Sequence, residues 1–332
     1  MTTRILALCG GVGGAKLARG FECLLADSSG EQAQLDDLTI AVNTGDDFEH
    51  LGLYICPDLD TVTYTLGSIV NTETGWGRAN ESGHCMEALR QFGGEDWFYL
   101  GDRDLALHLE RTRLLKSGMS LTDISESFAR RLDIKARIIP MCDEPAPTTV
   151  HTAEGSLAFQ HYFVRERCVP VVTSVDYGGA NTRANPLLLD TLNLDLMNQS
   201  DETGLSAIVI CPSNPYLSVD PLLALPGVRE SLEKTKVPVI AVSPIVGGQA
   251  VKGPTAKIMK ELGVEVNSLS IAAHYEGLLD CLVIDEGDRG ECEALAQYVP
   301  SVAVEKTMMN SDADKVSLAK RLLIIAQNLT GN

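Results

Sequence analysis

The sequence is short of positive charge. Its 332 residues carry 27 lysines and arginines against 45 aspartates and glutamates, which gives a formal net charge of −18 at pH 7. A general nucleic-acid-binding protein needs a cationic surface that displaces counterions from the phosphates, so the composition argues against that class and predicts no nucleic-acid partner. Small anionic ligands stay possible, because a pocket in an acidic protein can be locally positive or can hold a metal ion.

Long hydrophobic runs and paired cysteines are also absent. No stretch approaches the roughly 20 apolar residues of a membrane span, and the five-residue apolar run Ile5 to Cys9 is too short for the core of a signal peptide. The nine cysteines never form a CxxC pair, and several lie in apolar, strand-like runs, as buried reduced thiols do. We therefore expect a soluble cytoplasmic protein with no membrane partner.

The sequence does contain an alternation of apolar strands and amphipathic helices. The N-terminal part predicts a β-α-β unit, with strands at residues 4–9 and 38–42 and a helix at residues 15–25. Three later apolar runs predict further buried strands: 207–211, 237–242 and 279–284. Strands that alternate with helices predict an α/β fold, namely a Rossmann-like, doubly wound, mostly parallel sheet with helices on both faces.

The middle of the chain, approximately residues 104–205, has a different pattern. Residues 104–116 and 121–132 predict two helices, and residues 137–175 predict short strands rich in β-branched and aromatic side chains. We interpret this segment as a smaller helical and antiparallel α+β insertion beside the main sheet. Because no linker, repeat or low-complexity tract is present, residues 1–332 are predicted to form a single domain that contains it.

A glycine-rich turn stands between the first strand and the first helix, where backbone N–H groups and the helix dipole favour a phosphate. Its sequence is Gly10-Gly11-Val12-Gly13-Gly14-Ala15-Lys16. Lys16 replaces the third glycine of GxGxxG, and Ala15 separates Gly14 from Lys16, so neither the NAD fingerprint nor a P-loop is present. The turn predicts a phosphate contact or, alternatively, only a tight packing of the helix on the sheet.

Two acidic turns follow. Asn43-Thr44-Gly45-Asp46-Asp47 ends the second strand, at the carboxyl edge where open α/β sheets bind ligands, and Pro57-Asp58-Leu59-Asp60-Thr61 comes a few residues later. Unit charges about 4 Å apart repel by roughly 4 kcal/mol at an effective dielectric of about 20. A divalent cation removes this cost, and oxygen-only ligands suit Mg²⁺. The set predicts a metal or hydroxyl-activating site, whereas each aspartate taken alone is more typical of a cap.

Four further segments carry candidate binding residues. In Gly101-Asp102-Arg103-Asp104, an arginine between two carboxylates predicts a phosphate or planar-ring contact, or only a surface ion-pair turn. Trp76 lies in a glycine-flexed loop and could form a pocket wall, although tryptophan is more often a core residue. Ser213, Asn214 and Ser243 follow neighbouring predicted strands and could contact a nucleotide, although such residues are also ordinary loop chemistry.

Taken in order, these turns resemble the 2-phospho-L-lactate transferase family of deazaflavin coenzyme (F420) biosynthesis. The likeness runs from the first strand to the terminal helix. Each motif alone is unspecific, but the ordered set is highly specific. The segments that carry the resemblance are 10–16, 43–47, 57–61, 101–104, 212–215 and 243–245.

The resemblance implies a Mg²⁺-dependent phosphotransferase with a Rossmann-like core, usually a homodimer. Such enzymes transfer the phosphorylated three-carbon acid (phospholactyl or phosphoenolpyruvyl type) of a guanosine diphosphate-linked donor. The acceptor is the ribityl hydroxyl of 7,8-didemethyl-8-hydroxy-5-deazariboflavin, and GMP is released. The resemblance also implies that Asp60 and Arg103 hold this deazaflavin.

On this hypothesis Asp47, Asp60 and Arg103 are catalytic, because phosphoryl transfer depends mostly on positioning and charge neutralisation. The predicted metal ligands are Asp46, Asp47 and Asp60. The predicted substrate-binding residues are Asp60, Arg103, Gly11, Gly13, Gly14, Lys16, Asn43, Thr44, Trp76, Ser213, Asn214 and Ser243.

Two alternatives stay open. A related branch of proteins binds nucleotide sugars and regulates metabolism without catalysis, and we expect a Gly-Ser-Ser-Gly-Arg run after its Asp-Asp turn. Here Asp46-Asp47 is followed by Phe48-Glu49-His50, which favours the transferase. A nicotinamide oxidoreductase is disfavoured by Lys16. No residue of the sequence specifies whether the donor carries a lactyl, enolpyruvyl or glyceryl group.

Overall fold

The computed structural model of the protein describes residues 2–26, 35–197, 204–251 and 253–331. The strands in these ranges are β1 (Arg4–Cys9), β2 (Asp37–Val42), β3 (Phe48–His50), β4 (Leu53–Ile55), β5 (Arg137–Pro140), β6 (Thr148–Thr152), β7 (Gly155–Ala158), β8 (Val172–Tyr177), β9 (Ala207–Ile210), β10 (Val239–Val242), β11 (Ile245–Val246), β12 (Gln249–Ala250), β13 (Cys281–Asp285) and β14 (Ser301–Glu305). The α-helices are α1 (Gly11–Ala26), α2 (Pro57–Leu66), α3 (His84–Gln91), α4 (Asp102–Lys116), α5 (Leu121–Arg131), α6 (Pro186–Met197), α7 (Asp220–Leu223), α8 (Val228–Lys234), α9 (Thr255–Glu261), α10 (Ser268–His274), α11 (Cys292–Leu295) and α12 (Asp312–Thr330).

Seven strands form one parallel sheet in the order β14-β13-β10-β9-β1-β2-β5. The chain begins in the middle of this sheet with β1, continues to one side through β2 and β5, and later builds the other side from β9 onwards. The strand order therefore reverses at β1, and the crevice at the carboxyl ends of such strands is where open α/β sheets bind ligands. The predicted Rossmann-like, doubly wound fold is confirmed.

Helices cover both faces of the sheet and separate the apolar core into two layers. Along β1, Ile5 and Ala7 face one layer, whereas Leu6 and Leu8 face the other. The first layer is completed by side chains of α1, α2, α5 and α12, and the second by side chains of α6, α7, α8 and α10. Burial on both faces explains why the strands are continuous apolar runs in the sequence.

The predicted antiparallel insertion is only partly antiparallel. Strands β6, β7 and β8 form a separate antiparallel sheet in the order β7-β6-β8. The prediction is wrong for residues 137–140, which form β5, pair in parallel with β2, and make the edge of the central sheet. A four-residue strand carries too little pattern to reveal which sheet it joins. The boundaries 104–205 for an insertion within a single domain stay a prediction.

None of the helices in the described part of the chain combines the length and the hydrophobicity that a membrane span requires.

Candidate active site

The predicted turns meet at the carboxyl edge of the sheet. The chain leaves β2 at Asn43, whose N–H donates to the Cys9 carbonyl at 3.0 Å, and it leaves β9 at Cys211, whose N–H donates to the Leu8 carbonyl at 3.0 Å. Helix α1 starts at Gly11, between these two strand ends. The glycine turn, the first acidic turn and the Pro212-Ser213-Asn214 turn are therefore neighbours, as their positions after parallel strands predicted.

Asn43 joins the two acidic turns. Its side-chain amide is fully buried, and Nδ2 lies 2.9 Å from Asp46 Oδ1, 3.0 Å from Asp58 Oδ2 and 3.2 Å from the Leu217 carbonyl. Its Oδ1 accepts the Gly45 N–H at 2.8 Å. The sequence predicted that Asn43 binds substrate, but in the structure its side chain is committed to the protein and holds two carboxylates together.

Three of the carboxylates in these turns are costly to ionise. Burial, followed by the charge of Asp58, raises the pKa of Asp46 well above its usual range. Burial likewise raises the pKa of Asp47, although the Cys56 thiol and the Arg111 guanidinium oppose the shift. Burial raises the pKa of Asp58 to about 6, against hydrogen bonds from Asn43 and from the Gly11 N–H. A cation placed among these groups would remove much of that cost.

Asp47 is the least satisfied of the three. Both of its carboxylate oxygens are buried, and neither receives an N–H or O–H hydrogen bond from the described residues. A buried carboxylate without donors is expensive in a folded protein and calls for an explanation such as a bound ion. The sequence analysis did not single out Asp58 as a ligand, yet Asn43 holds its carboxylate beside that of Asp46.

Asp60 is paired with an arginine. Arg111 of α4 donates to Asp60 from both terminal nitrogens, with Nη1 at 3.1 Å from Oδ2 and Nη2 bonded to Oδ1. Both side chains are almost completely buried. An arginine that neutralises Asp60 weakens the case for Asp60 as a metal ligand, so a direct metal contact stays an untested prediction. Arg111 could not be found from sequence pattern, because its partner lies 51 positions away and on another helix.

The glycine turn forms the first turn of α1, and one of its N–H groups already binds a carboxylate of the protein. The Gly11 N–H donates to the Asp58 carboxylate. The glycines are also required for packing: side chains at Gly13 and Gly14 would overlap the Pro212 carbonyl and the Ser213 hydroxyl, respectively. The alternative of a close-packed turn is thus realised in the structure, and a phosphate contact at the same N–H groups stays a prediction.

Lys16 lies on the next part of α1, and its ammonium donates to the Met309 carbonyl at 2.8 Å. Thr44 is buried, and its hydroxyl lies 3.4 Å from the Cys142 thiol. Lys16 and Thr44 therefore both have partners within the protein. That they also contact the substrate stays a prediction.

The residues after β9 and β10 differ in what they can offer a ligand. Ser213 Oγ donates to the Gly10 carbonyl at 2.7 Å and ties the two strand ends together. Asn214 Oδ1 accepts the N–H groups of Tyr216 and Leu217, but its buried Nδ2 has no acceptor among the described groups. This amide therefore keeps a hydrogen-bond donor that no described group uses.

Ser243, a predicted substrate contact, is 1% exposed. Its hydroxyl accepts the Ile245 N–H at 3.2 Å and lies 3.1 Å from the Ser268 hydroxyl. The side chain stabilises the turn after β10 from inside the protein, and a contact with a nucleotide stays a prediction.

Arg103 is placed differently from the sequence-based interpretation. The flanking carboxylates do not hold its side chain: Asp102 accepts hydrogen bonds from Ser82, His84 and Cys85, and Asp104 accepts one from Tyr64. The Arg103 side chain is exposed at the start of α4, while its backbone N–H is capped by Glu81. The interpretation of an arginine held between two carboxylates is therefore wrong, but an exposed guanidinium is accessible to a ligand.

Aromatic rings gather beside the acidic turns. Phe48 and His50 of β3 contact Trp97, with ring centroids 5.9 and 5.1 Å apart, and Trp97 in turn contacts His161 at 4.8 Å. Trp76, the tryptophan that the sequence analysis favoured as a pocket wall, is 56% exposed in the loop before α3. Trp97, and not Trp76, is the tryptophan that lies in a ring cluster. No pattern in the sequence indicated this contact.

The segment with β6 to β8 also reaches the site. Gln160 Nε2 lies 3.4 Å from Asp46 Oδ2, and the Thr148 N–H donates to the Gly45 carbonyl. The Thr148 hydroxyl is buried beside Gly45 without a partner among the described atoms. Residues from outside the central sheet therefore complete one wall of the acidic site, a contribution that the sequence analysis missed.

Two shallow cavities lie elsewhere. One of about 530 Å³ is lined by residues that include Arg19, Leu66 and Lys135, and one of about 510 Å³ by residues that include Tyr177 and Asn181. None of the predicted site residues lines either cavity. Among the described residues, no three His, Cys, Asp or Glu side chains form a ready-made metal site. The acidic site is thus a set of buried groups, not a preformed metal cage.

The parallel sheet and its acidic edge define a Rossmann-like α/β protein with a candidate ligand site at the carboxyl ends of its central strands. A sequence model of the family described as 2-phospho-L-lactate transferase CofD matches residues 5–329. The chain therefore belongs to this family, and it is a transferase of that type. The resemblance drawn from the ordered turns is confirmed, and with it a transferase role in F420 biosynthesis.

Individual relatives support the same assignment. A Streptomyces coelicolor protein described as phosphoenolpyruvate transferase is 37% identical, with 98% of this chain and 99% of the relative covered. A Methanosarcina mazei protein described as 2-phospho-L-lactate transferase is 35% identical, with 95% of this chain and 98% of the relative covered. The match is therefore with whole proteins.

Solved structures support the fold. Two crystal structures of a Bacillus halodurans protein, one described as a member of the UPF0052 family, superpose with TM-scores of 0.58 and 0.62. They cover 97% and 98% of this chain, and 99% and 100% of their own chains, at 13% and 14% identity. At that identity the likeness concerns architecture alone.

Proposed function

We propose that the protein transfers the phosphorylated three-carbon acid of a guanosine diphosphate-linked donor to the ribityl hydroxyl of 7,8-didemethyl-8-hydroxy-5-deazariboflavin and releases GMP. Family membership supports the reaction type. The observation that carries the proposal is the buried acidic site of Asp46, Asp47 and Asp58 at the reversal of strand order. A homodimer in the cytoplasm, implied by the resemblance, is part of the same proposal.

The donor set of this acidic site fits Mg²⁺. The ion commonly binds to one or two carboxylates and completes its shell with water and substrate phosphates, so a preformed cage is not needed. The unpartnered oxygens of Asp47, together with Asp46 and Asp58, are the ligands we propose. When bound, Mg²⁺ would neutralise phosphate oxygens of the donor. Asp60, predicted as a third ligand, is better suited to the acceptor because Arg111 already compensates its charge.

The remaining residues would bind the two substrates on either side of this acidic site. The N–H groups of the glycine turn and the Nδ2 of Asn214, which has no acceptor among the described groups, would bind the donor phosphates. Asp60 keeps free lone pairs on both oxygens after its two bonds to Arg111, so it can accept a hydroxyl of the deazaflavin. Arg103, exposed at the start of α4, is available to the acceptor ring or to a phosphate.

The reaction exchanges one bond at phosphorus for another. The ribityl oxygen forms a bond to the phosphorus that carries the acid, the bond between that phosphorus and the GMP oxygen breaks, and the hydroxyl proton leaves. The hydroxyl becomes strongly acidic as its oxygen bonds to phosphorus, so solvent takes up the proton, and Asp47 acts in this proposal as a metal ligand. The other groups position the reactants and neutralise charge.

The test is a product analysis. Purified full-length protein is incubated with Mg²⁺, the deazaflavin and, in separate reactions, the lactyl, enolpyruvyl and glyceryl forms of the guanosine donor. We expect mass spectrometry to detect a phosphodiester of the deazaflavin and one equivalent of GMP with at least one donor, and neither product without acceptor. Binding of a nucleotide sugar with no transfer from any donor would instead favour the regulatory branch.

A further inference from the structure

A chain of buried polar side chains connects Asp60 of α2 to α4. Arg111 grips the Asp60 carboxylate with both terminal nitrogens, and the two side chains are 3% and 8% exposed. Paired, parallel N–H···O bonds fix both the position and the plane of a carboxylate. Asp60 therefore has a defined orientation before any ligand arrives.

Arg111 is itself held in place by several groups. Its Nη1 lies 3.4 Å from the Tyr54 carbonyl and 3.3 Å from His108 Nδ1. The other ring nitrogen of His108 lies 3.3 Å from Asp104 Oδ1, which accepts the Tyr64 hydroxyl at 2.5 Å. Tyr64 follows Asp60 by four positions, one turn along α2. These side chains form a polar ring between the two helices, in which the approach of His108 Nε2 to Asp104 is not a hydrogen bond.

Such a ring is a poor way to gain stability. Desolvation of a buried ion pair offsets most of its attraction, and well-packed apolar residues often serve a core equally well. What a buried, hydrogen-bonded ion pair does provide is a fixed geometry. Asp60 follows Asp58 by two positions in the first turn of α2, so that geometry is provided beside the groups of the proposed reaction.

We infer that Arg111 is a positioning residue for the transfer reaction, acting through Asp60. It holds the carboxylate so that the remaining lone pairs of Asp60 face the acceptor, while the Tyr54 carbonyl and His108 Nδ1 keep Arg111 itself from turning. This inference rests on the proposed function, in which Asp60 binds the deazaflavin.

The kinetic test compares Arg111→Met, Arg111→Lys, Asp60→Asn and the Asp60→Asn/Arg111→Met double variant. A misplacement of about 1 Å costs roughly 100-fold, so we expect Arg111→Met to lower kcat/KM for the deazaflavin by about that factor. The KM for the guanosine donor should stay near the wild-type value. Arg111→Lys should recover part of the loss, and Arg111→Met should cause no further loss in the Asp60→Asn background.

Arg19→Met is the matched control, because Arg19 Nη1 donates to the Leu66 carbonyl at 2.8 Å and so anchors the far end of the same helix. Its kinetics should equal those of the wild type. Losses that add in the double variant, or an equal loss toward donor and acceptor, would show that Arg111 does not act through Asp60 and would overturn the inference. If Arg111→Met does not fold, the double variant and Arg111→Lys supply the same comparison.

A crystal structure of Arg111→Met, or of Arg111→Lys if the methionine variant does not fold, separates this inference from the proposed function. If the wild type transfers from no donor, the proposed reaction fails, but the position of Asp60 can still be read. A carboxylate that rotates away or loses order without the guanidinium supports positioning by Arg111. A carboxylate that keeps its wild-type orientation contradicts it.

Discussion

At the scale of single residues, the protein keeps three buried carboxylates where apolar side chains would be more stable. Asp46 and Asp58 share the amide of Asn43, whereas the oxygens of Asp47 have no N–H or O–H donor in the described ranges. Burial raises the pKa of all three. Groups that are costly to the fold and gathered at one point are typical of functional sites.

Asp47→Asn should separate the cost of this buried carboxylate to stability from its contribution to activity. The substitution removes a buried charge while keeping the shape of the side chain, so we expect it to stabilise the metal-free protein by about 1–3 kcal/mol at pH 8. The same variant should lose transferase activity. Urea denaturation in EDTA and the product assay measure the two outcomes. A variant that is less stable than the wild type, or that retains full activity, contradicts the role assigned to Asp47.

At the scale of elements, the site depends on how closely α1 approaches the turn after β9. Gly13 and Gly14 leave no room for a side chain, because the Pro212 carbonyl and the Ser213 hydroxyl occupy that space. The same contact brings the Gly11 N–H to Asp58. The helix start is thus fixed by packing, and its N–H groups are arranged as a consequence.

Gly13→Ala should therefore cost stability. The added methyl group meets backbone and cannot be accommodated by a side-chain rotation, so we expect a loss of about 1–3 kcal/mol, measured by thermal or urea unfolding. Gly290→Ala is a suitable control, because a methyl group there meets no neighbouring atom within 4 Å. An equal effect of the two substitutions would mean that α1 can shift away from the turn without cost.

At the scale of the whole molecule, the free energy of unfolding depends on pH, because the protein has an excess of negative charge and a buried acidic site. In the metal-free protein the pKa of Asp58 is about 6, above its ordinary value of 3.8. The folded state therefore holds this proton more tightly than the unfolded chain does. The resulting stability is fully present below about pH 4 and is lost as the pH rises through about 6.

We expect this group to lower the free energy of unfolding by roughly 3 kcal/mol between pH 4 and pH 7.5 in EDTA, since one pKa unit corresponds to about 1.4 kcal/mol. Urea denaturation at several pH values measures it, and the difference from Asp58→Asn isolates Asp58 from general charge repulsion. Mg²⁺ should stabilise the protein more at pH 7.5 than at pH 5. Identical pH profiles for the wild type and Asp58→Asn would contradict the assignment.

The parallel sheet and the grouping of two of the turns could be predicted from the amino-acid sequence alone. Strands buried on both faces must be continuous apolar runs, and turns that follow parallel strands must meet at one edge. For this reason residues 43–47 and 212–214 could be grouped without coordinates. The acidic turn 57–61 was added because it comes a few residues after the first, and the order of all the turns identified the family.

Which side chains face one another depends on how the helices and strands pack together. Arg111 pairs with Asp60 across two helices, Gln160 approaches Asp46 from outside the central sheet, and residues 137–140 join the parallel sheet at its edge. Ser243 and the carboxylates beside Arg103 carry suitable chemistry in the sequence, yet their polar atoms are used within the protein. Strand periodicity is a local property of the chain, whereas these contacts depend on the packing of elements that are far apart in sequence.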